Sequence, residues 1–244
     1  MKREKIMKNK SQKMEKLLVC GRNSVADAIR AKLPISQIYV NSDKFAQKIK
    51  TQTDAPVNIK DDAFLSQLTT DNHQGIIAIL KDFPIYELNS IESEKPNIVL
   101  VLDHIQDPHN LGAIMRTANA FGISHIVITK DRSASITSSV LKVSSGGFVG
   151  LKIIKVNNLV AALKRLKKAG YWVYSSAIDN QAIHFDKVEY NRPSVLIVGN
   201  EANGISQPVL NESDVKIFIP QKGNVQSLNV SVAAGLLINE ITKG

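Results

Sequence analysis

The sequence predicts an α/β protein with a mainly parallel sheet, and three observations lead to this fold class. Short runs of β-branched residues, such as 98–102, 195–198 and 217–219, end abruptly in glycine, proline or polar residues. Such continuously apolar runs are typical of strands buried on both faces. Segments with helical spacing of apolar residues alternate with the runs. Polar loops follow the runs, at the edge where α/β sheets collect ligands.

The elements group into a small N-terminal unit and a larger C-terminal one. We expect a basic, disordered tail over 1–16, an α/β domain over 17–81, a linker over 82–96 and a second α/β domain over 97–244. The linker prediction comes from a polar, turn-rich composition. In the first domain the predicted strands are Leu17–Cys20, Ile38–Val40, Val57–Ile59 and Gly75–Leu80, and the predicted helices are Asn23–Ala31, Phe45–Ile49 and Asp62–Leu68.

In the second domain, strand Ile98–Leu102 is expected at the sheet centre and leads into a helix over Leu111–Phe121. Asn110 is the predicted N-cap of this helix, and Gly122 its C-terminal stop. Arg116, six residues after Asn110, is by itself either a surface charge or a functional group. The remaining predicted elements are strands His125–Thr129, Ile153–Val156, Tyr171–Tyr174, Val195–Val198 and Ile217–Ile219, a helix over Leu159–Ala169, and a helix opening at Ser227–Asn229 and running through Val230 and Ala234. The polar segment 130–147 fits either a ligand-wrapping loop or a loop with a short surface helix.

Composition restricts the class of protein. The chain has 244 residues, 43% of them hydrophobic, enough for one large or two modest domains with an ordinary core. The formal charge of +9 favours a polyanionic partner such as nucleic acid, with an anionic membrane surface as the less favoured alternative. The tail holds seven Lys or Arg against two Glu, which fits either a solubilising extension or a phosphate-binding arm.

No run approaches the roughly 20 apolar residues of a membrane span, and the N-terminus lacks a secretion signal, so we expect a cytoplasmic protein. The single cysteine, Cys20, fits a small buried hydrophobe in a reducing compartment.

Several common signatures are missing. The sequence has no Gly-x-Gly-x-x-Gly, no Gly-x-x-x-x-Gly-Lys-Ser/Thr and no Gly-x-Ser-x-Gly. The five histidines lack metal-site spacing, so we expect no metal. An oxidoreductase of the dinucleotide-binding type is therefore disfavoured.

Three blocks in the second domain carry a resemblance to a known family. They read Asp107-Pro-His-Asn110-Leu-Gly-x-x-x-Arg116-Thr-Ala, Val198-Gly199-Asn-Glu201-x-x-Gly204-Ile, and Ile219-Pro220-x-x-Gly223-x-x-x-Ser227-Leu228-Asn229-Val-Ser231. In this order and spacing they resemble the three motifs of the SpoU/TrmH branch of SPOUT RNA methyltransferases, over about 97–242. The resemblance implies methyl transfer from S-adenosylmethionine to a ribose 2′-OH. It also implies an α/β-knot domain, with its C-terminal segment threaded into a trefoil knot, and homodimerisation beside the knot.

The first domain is similar to the L30e/L7Ae-like substrate-binding domain of bacterial 23S rRNA enzymes of the RlmB type. The match rests on Val19-Cys-Gly21-Arg-Asn-Ser-Val25-x-x-Ala28 and on Asn72-His-Gln-Gly75-Ile. This domain order favours a 23S rRNA guanosine as target. A tRNA ribose methyltransferase and a non-catalytic RNA-binding protein of the same ancestry remain as alternatives.

The resemblance also assigns the site residues. Arg116 is assigned to the 2′-OH, in its own subunit or the opposite one. Because an arginine stays protonated, we expect it to contact RNA phosphate or stabilise the developing alkoxide, with proton acceptance left open. Asn110, Glu201, Ser227 and Asn229 are assigned to orienting Arg116, the ribose and the methionine end of the cofactor, although Asn110 and Ser227 also fit ordinary helix caps. Cofactor contacts are assigned to Val198, Gly199, Asn200, Ile219, Pro220, Gly223 and Leu228, and RNA contacts to Arg22, Arg132 and Lys142. Related enzymes commonly have Ala, Glu and Pro near positions where this chain has Gly147, Phe148, Val149 and Lys152.

Overall fold

The computed structural model describes residues 16–177, 179–225 and 227–243, which form two sheets. All of the predicted basic tail except Lys16 lies outside the described residues. The first sheet holds the N-terminal strands, and the second holds the strands of the larger C-terminal region.

The N-terminal sheet has four strands in the order β1-β4-β2-β3. It is mixed, because β4 pairs antiparallel with β1 and β2 while β2 and β3 pair parallel. Its strands are β1 (Leu17–Cys20), β2 (Ile35–Val40), β3 (Val57–Ile59) and β4 (Ile76–Leu80), and its helices are α1 (Arg22–Arg30), α2 (Asp43–Lys50) and α3 (Asp62–Leu68). All seven elements predicted for 17–81 are present.

The second sheet has eight strands, and every neighbouring pair in it is parallel. Its order is β10-β12-β9-β11-β6-β7-β8-β5. The strands are β5 (Ile85–Tyr86), β6 (Ile98–Asp103), β7 (His125–Thr129), β8 (Lys152–Val156), β9 (Trp172–Ser176), β10 (Ile183–His184), β11 (Ser194–Gly199) and β12 (Val215–Phe218). The helices are α4 (Asn89–Glu94), α5 (Pro108–Ala120), α6 (Ser138–Ser144), α7 (Leu159–Lys168), α8 (Gln207–Leu210) and α9 (Val230–Ile241), with a 3₁₀ turn at Phe185–Lys187. The prediction of a mainly parallel sheet is confirmed.

The segment 82–96, expected to be a linker, is folded against the second sheet. Strand β5 pairs in parallel with β8, and helix α4 buries Ile91. A two-residue strand carries no periodic signal, so only its partner defines it.

Helices cover both faces of the second sheet. Helices α5, α6 and α9 pack on one face, in a core that continues into the N-terminal sheet. Helices α4, α7 and α8 pack on the other face. Helix α6, which the sequence left open as a surface helix, is thus wedged between α5 and strand β1.

The centre of the sheet has the geometry of a ligand site. Strands β6 and β11 are neighbours, yet the chain leaves β6 through α5 on one face and leaves β11 through α8 on the other. Such a reversal opens a crevice beyond the carboxyl ends of the two strands. Helix α9 packs beside it, against α5 and β11. The threading of the C-terminal segment into a knot stays a prediction.

Among the described residues, no helix is both long enough and apolar enough to cross a bilayer.

Candidate active site

A cavity of about 480 Å³ lies at the carboxyl ends of β9, β11 and β12. Three loops that follow apolar strands close around it, because parallel strands end at the same edge. Its apolar lining includes Val198, Ile205, Leu210, Phe218, Ile219, Leu228 and Val230, and its polar lining includes Asn200, Glu201, Gln221 and Ser227.

The loop after β11 is a tight turn that requires glycine. The backbone N–H groups of Asn200 and Gly204 each donate to the other residue's carbonyl oxygen, at 2.9 Å. A Cβ added to Gly199 would lie 2.3 Å from the carbonyl carbon of Gly204, which is closer than real side chains approach. Gly204 itself has φ +66°, a left-handed conformation that favours glycine. Any side chain at position 199 would therefore reshape one wall of the cavity.

Asn110, Glu201 and Asn229 form one hydrogen-bonded chain beside the cavity, which Glu201 lines. The Nδ2 group of Asn110 donates to Glu201 Oε1 at 2.6 Å, and its Oδ1 accepts from Asn229 Nδ2 at 3.1 Å. Asn110 is only 8% exposed, and both bonds are partly buried although Glu201 and Asn229 are themselves exposed. One side chain from each of the three sequence blocks thus meets in a single network.

The start of α5 differs from the prediction that Asn110 is its N-cap. Asp107 caps the helix, since its carboxylate accepts from the backbone N–H of His109 at 2.8 Å. Pro108 then occupies the first turn, where its missing N–H costs nothing. Asn110 is therefore released from capping, and its side chain can turn toward Glu201.

The start of α9 corrects a second capping interpretation. Asn229 is the N-cap, and its Oδ1 accepts from the backbone N–H of Ser231 at 2.9 Å. Ser227 lies two residues earlier, outside the helix, and lines the cavity together with Leu228. Asn229 thus links the start of α9 to Asn110. Pro220 and Gly223 belong to the loop before α9 but do not line the cavity.

Arg116 lies on the exposed side of α5. In the part of the chain that the structure describes, its guanidinium makes no hydrogen bond or ion pair. Its backbone is tightly packed, because a Cβ added to Gly147 would lie 2.5 Å from the Arg116 Cα. The turn after α6 therefore fixes the backbone of Arg116 while its cationic head stays free for a ligand.

The three predicted RNA-binding cations occupy different environments. Arg22 is exposed and stacks 4.9 Å from the centre of the Phe45 ring. Arg132 is exposed on the loop after β7. Lys142, on α6, pairs with Asp71 of the N-terminal unit at 2.5 Å, so it connects the two parts of the protein. Their role in RNA contact stays a prediction.

The comparisons with known proteins match both parts of the chain. The family model described as SpoU rRNA Methylase family matches residues 97–239, more than half of the chain.

This chain belongs to the SpoU rRNA Methylase family.

A second model, described as RNA 2′-O ribose methyltransferase substrate binding, matches residues 18–86 of this SpoU methylase. A Staphylococcus haemolyticus relative, named as a TrmH family tRNA/rRNA methyltransferase, is 33% identical; the match covers 93% of this chain and 96% of the relative. A Staphylococcus aureus relative of the same name is 34% identical over the same shares. These matches confirm the resemblance, and the SpoU methylase is an RNA methyltransferase.

Solved structures share the fold of this SpoU methylase. A Porphyromonas gingivalis structure, assigned to the TrmH family of RNA methyltransferases, has a TM-score of 0.77 at 25% identity; the match covers 93% of this chain and 89% of that one. A Sinorhizobium meliloti structure, described as an AdoMet-bound rRNA methyltransferase, has a TM-score of 0.82 at 23% identity, with 93% and 87% covered. The predicted fold class is confirmed.

Two polar residues of this SpoU methylase were not singled out from the sequence. Asp103, at the end of β6, is 1% exposed and accepts a hydrogen bond from His104 Nδ1 at 2.5 Å. An aspartate that ends an apolar strand was the available signal. The pairing itself depends on a left-handed backbone at His104, which no sequence pattern indicates.

The structure leaves Cys20 with the role expected from the sequence, that of a small packing residue. Burial raises the pKa of its thiol, so little reactive thiolate forms at neutral pH.

Proposed function

We propose that this methyltransferase transfers a methyl group from S-adenosylmethionine to a ribose 2′-OH of structured RNA, with a 23S rRNA guanosine as the favoured target. The observation that carries the proposal is the hydrogen-bonded chain of Asn110, Glu201 and Asn229 beside the 480 Å³ cavity, which Glu201 lines. The description of the model matching 18–86, which names RNA 2′-O ribose methyltransferases, supports the ribose as acceptor.

The cavity suits S-adenosylmethionine by size and chemistry. Its volume lies within the usual range of about 300–1,000 Å³ for small-molecule sites. The apolar wall includes Ile219 and Leu228, which suit the adenine, and the carboxylate of Glu201 offers a counter-charge to a cationic ligand. A protein of the same fold, from Sinorhizobium meliloti, is described as AdoMet bound. When bound, S-adenosylmethionine supplies a strongly electrophilic sulfonium methyl group.

The protein's contribution is therefore mainly to position the acceptor. Aligning two reactants removes much of the entropic barrier to their reaction. Asn110 is held on both sides, by Glu201 and Asn229, and so offers a rigid surface to a ribose. The unpaired guanidinium of Arg116 then stabilises the alkoxide that develops as the 2′-OH loses its proton.

We also propose a homodimer as the working form. Helix α9 exposes Val232 (52%) and Leu236 (39%), which are four residues apart and so lie on one helix face. Phe121, at the end of the adjacent helix α5, is 41% exposed. Apolar side chains on neighbouring helices favour a second copy as their cover.

Methyl transfer from labelled S-adenosylmethionine tests the proposed reaction. We expect the label to enter unmodified 23S rRNA at a 2′-O-methylguanosine, which resists alkaline cleavage on its 3′ side. Label in tRNA instead would contradict the rRNA assignment, and label on a base would contradict the ribose. Omission of the protein is the control, and it should abolish incorporation.

A further inference from the structure

A second cavity, of about 420 Å³, adjoins the first at the carboxyl edge of the sheet. It lies above β6, β7 and β8, whereas the first cavity lies above β9, β11 and β12. The proposed reaction uses none of its lining residues. They include Asp103, His104, Thr129, Asp131, Arg132 and Ser206.

His104 is built into this cavity in a fixed orientation. Its Nδ1 donates to Oδ1 of the buried Asp103 at 2.5 Å. The other oxygen of Asp103 accepts from both the backbone N–H and the hydroxyl of Ser206, at 2.8 Å each. The carboxylate therefore holds both the imidazole of His104 and the turn after β11. Nε2 of His104, without a hydrogen bond in the described part of the chain, is left available to a ligand.

The backbone conformation of His104 is a second indication of a ligand site. Its φ is +59°, in the left-handed region that a non-glycine residue rarely occupies. Such outliers persist when their surroundings enforce them, and they concentrate at functional sites. Here the Asp103 carboxylate on the ring and the Asn200 amide on the His104 carbonyl, at 2.9 Å, enforce it.

The chemistry of the cavity suits a nucleobase better than a phosphate. Arg132 brings a planar cation, on a loop held by the Thr129 hydroxyl, which donates to the Asp131 carbonyl at 2.7 Å. The exposed carboxylate of Asp131 repels an anion but accepts from the N–H groups of a base. Unpaired RNA bases are commonly recognised by stacking on His or Arg and by hydrogen bonds at their edges.

The second cavity and the reaction centre meet at one amide. The Nδ2 group of Asn200 donates both to the His104 carbonyl and, at 3.2 Å, to Oε2 of Glu201. Glu201 in turn accepts from Asn110. Asn200 and Glu201 therefore link Asn110 to the backbone of His104.

We propose that the second cavity binds one unpaired base of the substrate RNA, through the imidazole of His104 and the guanidinium of Arg132. This inference rests on the proposed function. It adds a site for RNA selection that is separate from the cofactor cavity.

His104→Gly tests the proposal, because glycine adopts the left-handed backbone without strain and only the imidazole is lost. Arg132→Ala is the second variant. Lys168→Ala is its matched control, since it also removes one exposed cation, but from the far end of α7. The full-length proteins would be compared by filter binding of a 23S rRNA transcript, by the KM and kcat of methyl transfer, and by calorimetry with S-adenosylmethionine.

We expect His104→Gly and Arg132→Ala each to weaken RNA binding and to raise the RNA KM at least about fivefold, the low end for loss of one base-stacking contact. Cofactor affinity and the kcat at saturating RNA should stay at the wild-type value, as should every constant of Lys168→Ala. Unchanged RNA affinity in His104→Gly would overturn the inference, and so would a loss of cofactor affinity. A wild-type protein that binds the transcript without methylating it would contradict the proposed function instead, and the binding comparison would still decide the role of His104.

Discussion

At the scale of single residues, the site separates side chains that are held from one that is free. Asn110 is buried and bonded on both sides, whereas Arg116 is exposed and makes no ion pair among the described residues. The fixed side chain of Asn110 shapes the site, whereas the unpaired cation of Arg116 can bind negative charge on the substrate. Replacement of Asn110 and replacement of Arg116 should therefore have different effects on the site.

Arg116→Ala should lower kcat for methyl transfer by about a hundredfold or more, the usual cost of losing one group that stabilises a developing anion. Cofactor affinity and thermal stability should not change, because the guanidinium makes no hydrogen bond, ion pair or ring contact with the other described residues. Single-turnover transfer, calorimetry with S-adenosylmethionine and thermal unfolding measure the three quantities. Full activity in Arg116→Ala would remove this residue from the mechanism, and Arg116→Lys shows whether the charge alone suffices.

At the scale of elements, buried strands were the most predictable feature. Strands such as β6, β7 and β11 are apolar along their centres because both faces of the second sheet are covered by helices. Strands β5 and β10 have only two residues each, so their pairing partners, and not their own sequence, define them. Prediction from sequence succeeds where burial dictates residue type along a whole element.

The contacts of the candidate site also differ in how far the sequence could predict them. The network of Asn110, Glu201 and Asn229 joins residues 91 and 119 positions apart, and only the resemblance to a family brought these residues together beforehand. The pair of Asp103 and His104 depends on a local backbone conformation, which motif spacing does not reveal.

Helix α5 offers a prediction at this scale. Asp107→Ala removes its N-cap and should lower the free energy of unfolding by about 1 kcal/mol. The same change should reduce activity, since α5 carries both Asn110 and Arg116. Urea unfolding measures the loss. The matched control is Asp54→Ala, which removes an exposed carboxylate from a loop in the N-terminal unit and should leave stability unchanged. Equal midpoints for the two variants would contradict the capping role.

At the scale of the whole molecule, helix α6 joins the RNA-binding part to the catalytic part. Its first residue, Ser138, accepts from the backbone N–H of Leu18 at 2.7 Å, and Lys142 pairs with Asp71. The turn that follows α6 packs on the backbone of Arg116. Helix α6 and the turn after it thus contact both the N-terminal unit and the backbone of Arg116.

The exposed apolar surface of α9 and α5 is the surface that we assign to a second copy. Leu236→Lys should give a monomer of 26.8 kDa, where the wild type runs at about twice that mass, because a lysine charge cannot be buried unpaired in an apolar contact. Light scattering coupled to gel filtration measures the mass. Ile59→Lys is the matched control, since it places the same charge at a side chain that is 46% exposed on β3 in the N-terminal sheet. It should leave the dimer intact. A wild-type monomer, or a Leu236→Lys dimer, would contradict the proposed interface.

Because α9 packs on α5 and begins at Asn229, loss of the dimer should also lower methyl transfer, whereas Ile59→Lys should leave the kcat of transfer unchanged.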